Sequence, residues 1–329
     1  TGMGAMSDSN AWQLFKYGYG PYLDGMFTQG NFGIVTKMGF WLMPAPPMSK
    51  PFLFTFEKEE DLHPLMEILR PLKISMAWQN GAIAEHISYS AAVLNPRSHY
   101  TDSKELISQS RWQEIAKELD LGMWNVYGCL YGLPENVEMT FQMIQGAMTS
   151  IPGARVVLEG ARDDPGFTYR ANLMRGIPNM TEFNLVNWDG GGHLNFSPIG
   201  PFNGATATKM FELMREICNQ YGFDLITEMV ATFRGLIGLT MVMFDAADED
   251  ARKRADACSR DIILRSAEQG WGELKANLEY MQTVAGIYNG QDNGLWKVNQ
   301  ILKDALDPNG ILSPGKSGIW PSNWSGLRD

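Results

Sequence analysis

The second half of this chain alternates strand and helix patterns in a definite order, and that order constrains the fold more than any other feature. His193 to Ile199 reads as a strand and Ala205 to Tyr221 as a helix. Asp224 to Thr232 and Leu236 to Phe244 read as two strands, Ala247 to Gln269 as a helix, and Gly272 to Leu278 as a strand. Runs rich in β-branched and aromatic residues mark the strands, and apolar residues recurring every three to four positions mark the helices. The sequence β-α-β-β-α-β predicts an α+β fold of the ferredoxin-like kind: an antiparallel sheet with helices on one face.

The first half is less regular. Phe52 to Phe56 reads as a strand, and Asp61 to Leu69 as a helix whose Leu62, Leu65, Met66 and Leu69 fall on one side. A helix from Ser103 to Leu119 precedes the strand-like Trp124 to Tyr131, and Pro134 opens a further helix in the first-turn position that proline favours. Upstream, Tyr17 to Tyr22 carries turn residues and Phe32 to Met43 reads as a strand. Pro44-Ala45-Pro46-Pro47 stops that pattern and marks a boundary, because proline cannot continue a central strand. Near the C-terminus, a helix from Leu295 to Leu306 is ended by the turn residues Asp307-Pro308-Asn309-Gly310. There is no short-period repeat, heptad run or low-complexity tract.

Composition enters as exclusion. In 329 residues, 27 Lys and Arg face 37 Asp and Glu, a formal charge of -10, which argues against nucleic acid, since phosphate neutralisation needs clustered cations. No apolar run approaches the roughly 20 residues that span a bilayer, so no membrane role is expected. Cys129, Cys218 and Cys258 lie far apart and His63, His86 and His99 show no ligand spacing, so neither a disulfide framework nor a metal site is expected. The start, Thr1-Gly2-Met3-Gly4, has no targeting character and too few glycines for a dinucleotide fingerprint. It reads as a start within a longer protein, with the cytoplasm as the expected location.

One stretch points to chemistry. Gly190-Gly191-Gly192-His193-Leu194-Asn195-Phe196-Ser197-Pro198-Ile199 places one of only four histidines behind three glycines. Glycine permits close backbone approach, so the run suits a planar cofactor lying on the main chain. Taken alone, it equally suits a glycine-rich loop ending in a satisfied histidine.

Five ordered blocks settle that choice by resemblance: Thr1 to Gly4, Tyr17 to Gln29, Asn31 to Lys37, Phe40 to Pro44 and Asp307 to Gly318. They closely resemble the flavoprotein family of vanillyl-alcohol oxidase and the 4-cresol dehydrogenase flavoprotein subunit. The resemblance implies remnants of an FAD-binding domain in residues 1–45 and 286–329, and a substrate-binding cap in residues 46–285. It also implies that most of the FAD-binding domain is missing.

The same resemblance implies FAD linked covalently through His193. The family's linking histidine sits in a matching Gly-Ala-His-Leu-Phe-Phe-Ser-Pro-Ile stretch, and where the cresol enzyme has its linking tyrosine this chain has Val186. Further cofactor contacts fall on Asn31, Gly33, Ile34, Lys275 and Lys316. Catalytic roles fall on Glu182, Glu228 and Lys275, and substrate contacts on Leu274, Ile237 and Asn195. The implied reaction is hydride transfer from the benzylic carbon of a small aromatic alcohol or alkylphenol to flavin. Oxygen or a cytochrome would reoxidise the flavin, in a homo-oligomer. One departure matters. Leu274-Lys275 stands where the family keeps a Tyr-Arg pair on the phenolate, and Ile237-Gly238 stands where it keeps paired histidines. Leucine cannot donate a hydrogen bond and lysine offers a point charge rather than a planar fork, so a non-phenolic alcohol is the alternative substrate. A catalytically silent α+β binding module is the alternative from outside enzymes.

Overall fold

The computed structural model describes residues 1–161 and 164–326. The chain divides into two compact units, one of Pro46–Leu274 and the other of Thr1–Ala45 with Lys275–Asp329.

The larger unit is a mixed α and β structure built on one sheet. Its strands are β1 (Met48–Phe56), β2 (Ala82–His86), β3 (Trp124–Gly132), β4 (Arg155–Leu158), β5 (Gly191–Phe196), β6 (Pro198–Pro201), β7 (Ile226–Ala231), β8 (Gly235–Asp245) and β9 (Gly272–Glu273). The spatial order is β4-β1-β3-β2-β7-β8-β6-β9, with β5 also paired to β8, and every pairing is antiparallel. The helices are α1 (Leu62–Ile74), α2 (Ile87–Leu94), α3 (Gln109–Glu118), α4 (Pro134–Met148), α5 (Pro165–Met174), α6 (Gly204–Gln220) and α7 (Glu249–Glu268). The path repeats itself. β1-α1-β2 then β3-α4-β4 occupies one half of the sheet, β6-α6-β7 then β8-α7-β9 the other, and β2 pairs with β7 at the seam. Two strands separated by a third that is antiparallel to both run parallel, so each needs a crossover, which the helices supply.

Alternation along the strands separates two faces. On one, Phe52, Phe54 and Phe56 are fully buried, and Phe52 meets Trp78 and Phe141 with ring centroids 4.9 and 5.4 Å apart. Burying a phenylalanine contributes about 2–3 kcal/mol. Gly128 belongs here because a Cβ would fall 2.0 Å from the Trp78 ring. Helices α1, α4, α6 and α7 pack together on this face. The opposite face is not bare: α2 packs on β7, and α5 on β3 and β1. Helices α6 and α7 thus lie on the first face, whereas α2 and α5 cover part of the second and position the site.

Several expected elements differ in extent. The strand expected over His193 to Ile199 breaks at Ser197, because the Ser197 N–H turns to the Glu273 carboxylate at 2.7 and 2.9 Å instead of a neighbouring strand. The strand expected over Gly272 to Leu278 stops after Glu273. The expected strand over Phe32 to Met43 does not form: the smaller unit has no strand among its described residues, and a strand exists only through a partner. In that unit α8 (Met281–Ile287) precedes α9 (Gly290–Leu306), whose Gln291 to Asn293 are left-handed, so the regular helix begins beyond them. Lys303 is fully buried and donates to the Asn31 carbonyl at 2.9 Å, to Asp307 at 2.8 Å and to the Leu312 carbonyl. Asp307 in turn accepts from the N–H groups of Ile311 and Leu312, which holds the expected terminating turn.

Candidate active site

The seam between β2 and β7 carries a buried charge cluster. Glu85 and Glu228 are cross-strand partners, exposed by only 1% and 4%. Arg170 projects from α5 between them, contacting Glu85 closely and Glu228 at 3.0 Å. Asp164 starts α5 by accepting from the Phe167 N–H, which fixes the turn that carries Arg170. Glu182, from the 3-10 segment Thr181–Asn187, reaches the same guanidinium at 3.1 Å and accepts from the Tyr89 hydroxyl at 2.8 Å. Ser90 donates to Glu85 at 2.7 Å. The rings of Tyr169, Tyr89 and Tyr127 lie 5.1, 5.8 and 5.8 Å from the guanidinium carbon, within cation–π range.

Burial dominates the electrostatics. It pushes the Glu85 carboxyl above its ordinary value and that of Glu228 up to about 8, against the pull of Arg170. The phenols of Tyr89 and Tyr169 are raised by burial and by the carboxylates around them, and so remain neutral. Burial disfavours the Arg170 charge, but the carboxylates around it outweigh that effect and keep the guanidinium charged.

Among the residues singled out from sequence, Glu182 and Glu228 thus meet at one guanidinium. His193 and Asn195 pair with Met243 and Met241 of β8, while Glu228 pairs with Leu239 and Ile237 with Val230. Alternate positions along β8 share a face, so His193, Asn195, Ile237 and Glu228 all project from the same side of the sheet. His193 is exposed. The glycines before it have separate reasons. A Cβ at Gly192 would fall 2.6 Å from the Phe244 ring and carbonyl, and one at Gly190 would fall 2.8 Å from the Asp245 backbone. These two therefore serve packing against β8. Gly191, with φ +86° and open space where its Cβ would be, is the one that clears an approach beside His193. An exposed imidazole with that opening fits attachment of a flat group.

The remaining candidates are scattered. Leu274 follows β9 and is 63% exposed. In the smaller unit Lys275 is exposed and Lys316 half-buried. Asn31 is buried there and spends its amide on the carbonyls of Lys316 at 2.8 Å and Ile319, so it braces that loop. Gly33 lies against Phe27, and Ile34 is exposed. Sequence reasoning missed Glu85, Tyr89 and Arg170. The available signals were a lone acid within Ala82-Ile83-Ala84-Glu85 and a lone cation among the apolar residues of α5. A separate cavity of about 550 Å3, lined by Glu59, His86, Trp112, Phe211 and Arg215 among others, shares no lining residue with the cluster. His86 is adjacent to Glu85 and points to the other face, against Phe211 of α6. The described residues contain no group of side chains suited to a metal ion and no helix long and apolar enough to cross a membrane.

No family model matches the chain. Over 322 residues, 97% of its length, it is 37% identical to the 4-cresol dehydrogenase [hydroxylating] flavoprotein subunit of Pseudomonas putida, 61% of which it covers. The crystal structure of p-cresol methylhydroxylase with substrate bound matches with a TM-score of 0.93 at 37% identity, over 97% of this chain and 62% of that one. The 4-ethylphenol oxidase of Gulosibacter chungangensis, in its isoeugenol complex, matches with a TM-score of 0.94 at 34% identity, over 98% of this chain and 63% of that one. The chain thus spans about three fifths of the proteins it matches. In sequence and in fold alike, it is similar to the corresponding three fifths of the 4-cresol dehydrogenase flavoprotein subunit and of 4-ethylphenol oxidase.

Proposed function

We propose that the chain is part of an FAD-linked oxidoreductase that oxidises the benzylic carbon of an alkylphenol or related aromatic alcohol. The observation that carries this reading is the convergence of Glu182 and Glu228 on a sheet face that also presents His193, in a chain 37% identical to a cresol-oxidising flavoprotein. The alkylphenol relatives favour this substrate class over a non-phenolic alcohol or a silent binding module. In this reading residues 46–285 form the cap in a ferredoxin-like arrangement, and residues 1–45 and 286–329 join the FAD-binding domain.

Bound FAD would accept the hydride. His193 is the attachment point, since a neutral imidazole nitrogen is the nucleophile that such a link requires. Asn31, Gly33, Ile34, Lys275 and Lys316 form the cofactor-side contacts, with Asn31 acting by bracing the loop of Lys316. Glu182, with 30% of its side chain exposed, accepts a proton from the substrate or from an attacking water, while Arg170 and Tyr89 hold it in place. Glu228 lies deeper and supports that proton exchange. Lys275 supplies positive charge for the anionic reduced flavin, and Asn195, Ile237 and Leu274 line the substrate. Oxygen or a cytochrome takes the electrons, and the working form is a homo-oligomer.

The test uses the complete protein. After acid precipitation, flavin fluorescence stays with the polypeptide and leaves it in His193→Ala. Anaerobic mixing with a 4-alkylphenol bleaches the flavin. Flavin released wholly from the parent protein ends the covalent assignment, and bleaching by benzyl alcohols but not by alkylphenols ends the substrate assignment.

A further inference from the structure

Glu85 and Glu228 face each other across the antiparallel pair β2 and β7, and both are more than nine-tenths buried. Side chains so opposed have Cβ atoms about 4.5–5.5 Å apart, and like charges there repel. Glu182 adds a third carboxyl, and the same Arg170 nitrogen serves all three. Full ionisation would therefore leave a net charge of two negatives around one guanidinium, with Glu85 and Glu228 both withdrawn from bulk water. Two negative charges about 5 Å apart cost about 3 kcal/mol even at an effective dielectric near 20, and desolvation adds to this.

Among the described residues, the other groups around the cluster are neutral or acidic. Tyr89 and Ser90 face it from α2, Tyr127 from β3, Tyr169 from α5, and Asp164 acts on Tyr127 from the start of that helix. Among the described residues, Arg170 is the only cation that these contacts bring to the three glutamates.

We infer that Glu85 and Glu228 hold a single proton between them at neutral pH, as a carboxyl–carboxylate pair clasped by Arg170. Glu182, the most exposed of the three, is the member that faces incoming ligand. The pair is a proton-binding site, and Glu85 and Arg170 are positioning residues that act through Glu228 and Glu182. Burial, which pushes both carboxyls upward, supports the same arrangement. Catalytic use of the site rests on the flavin reading above; the proton itself does not.

Infrared spectroscopy of the protein, with and without isotope-labelled glutamate, tests this without flavin or substrate. A protonated-carboxyl C=O band is expected near pH 7, assigned by its isotope shift to glutamate and lost as the pH passes about 8. Glu228→Gln and Glu85→Gln each abolish it, because the acid that remains ionises against Arg170. No such band in the parent protein near pH 7 overturns the inference, as does a band unchanged in either folded variant. If one variant fails to fold, the parent spectrum and the other variant still decide. In the complete enzyme, Glu85→Gln shifts the pH profile of kcat/KM, whereas a merely structural role would lower activity without moving that profile. Loss of the flavin reading leaves the band in place, and absence of the band leaves the flavin reading untouched.

Discussion

Replacing Glu228 with glutamine removes a titration while keeping the shape of the side chain, and its effect can be worked from the site. In the unfolded chain Glu228 ionises near its ordinary value of 4.5, whereas in the folded protein burial holds the proton up to about 8. Between those values the folded state binds a proton that the unfolded state has released. Stability therefore falls with rising pH, by about 1.4 kcal/mol for each pH unit of the window. The contribution is fully present below about pH 4.5, and a loss on the order of 5 kcal/mol has accumulated above pH 8. Glutamine cannot titrate, so Glu228→Gln escapes this loss. It also removes the carboxylate that faces Glu85 across the β2–β7 pair. The expected outcome is a variant near or below the parent in stability around pH 5 that overtakes it by several kcal/mol around pH 9. Urea unfolding midpoints at a series of pH values measure this difference, and titrations common to both proteins cancel. Parallel stability curves across the whole range would refute a protonated Glu228.

Arg170→Met is expected to cost about 3–5 kcal/mol, since it strands buried carboxylates, and to cost more near pH 8 than near pH 5, where the carboxyls can protonate; denaturant midpoints at the two pH values check this. Gly192→Ala is expected to lose about 2–3 kcal/mol, because its Cβ would meet the Phe244 backbone, whereas Gly191→Ala loses about 1 kcal/mol from its φ of +86° alone; thermal midpoints of the pair in the wrong order would remove the packing explanation of Gly192. In the complete enzyme, the double change Leu274→Tyr with Lys275→Arg is expected to raise the kcat/KM preference for 4-hydroxybenzyl over 4-methoxybenzyl alcohol toward about 10⁴-fold, and an unchanged ratio would show that the phenolate is held elsewhere.

Elements with strong periodicity were legible in the sequence. Strands β3, β7 and β8 and helices α6 and α7 lie within a few residues of their expected bounds, and α4 starts at the expected Pro134, because their apolar patterns are long and regular. Strand β2 and helix α2 were not legible. Ala82-Ile83-Ala84-Glu85-His86 mixes charge into a short run, and α2 is buried along nearly all its length, so it has no polar face to reveal a period. The break at Ser197 depends on Glu273, far along the chain. The site divides the same way. Glu182 and Glu228 were found through resemblance, and Glu85, Tyr89 and Arg170 were not. A lone glutamate in a strand reads as solvent-facing, and only the β2–β7 register shows that its partner is another buried acid.

The placement of the cluster follows from the repeated path of the sheet. Each half buries most of its own strands between neighbours, and β2 and β7 are the pair through which the halves meet. Helix α5 and the segment Thr181–Asn187 both lie in the connection from β4 to β5, outside either half. That connection is free of the crossover duty that binds α1, α4, α6 and α7 to the other face, and so it can fold back over the seam. There it brings a cation and a third carboxylate to two acids that the register had already opposed. Connecting segments on a rigid frame commonly carry function, and here the frame supplies the repulsion between Glu85 and Glu228 while the connection supplies Arg170, which makes it tolerable. Substitutions that shorten the connection should therefore disturb the protonation of the seam before they disturb the sheet.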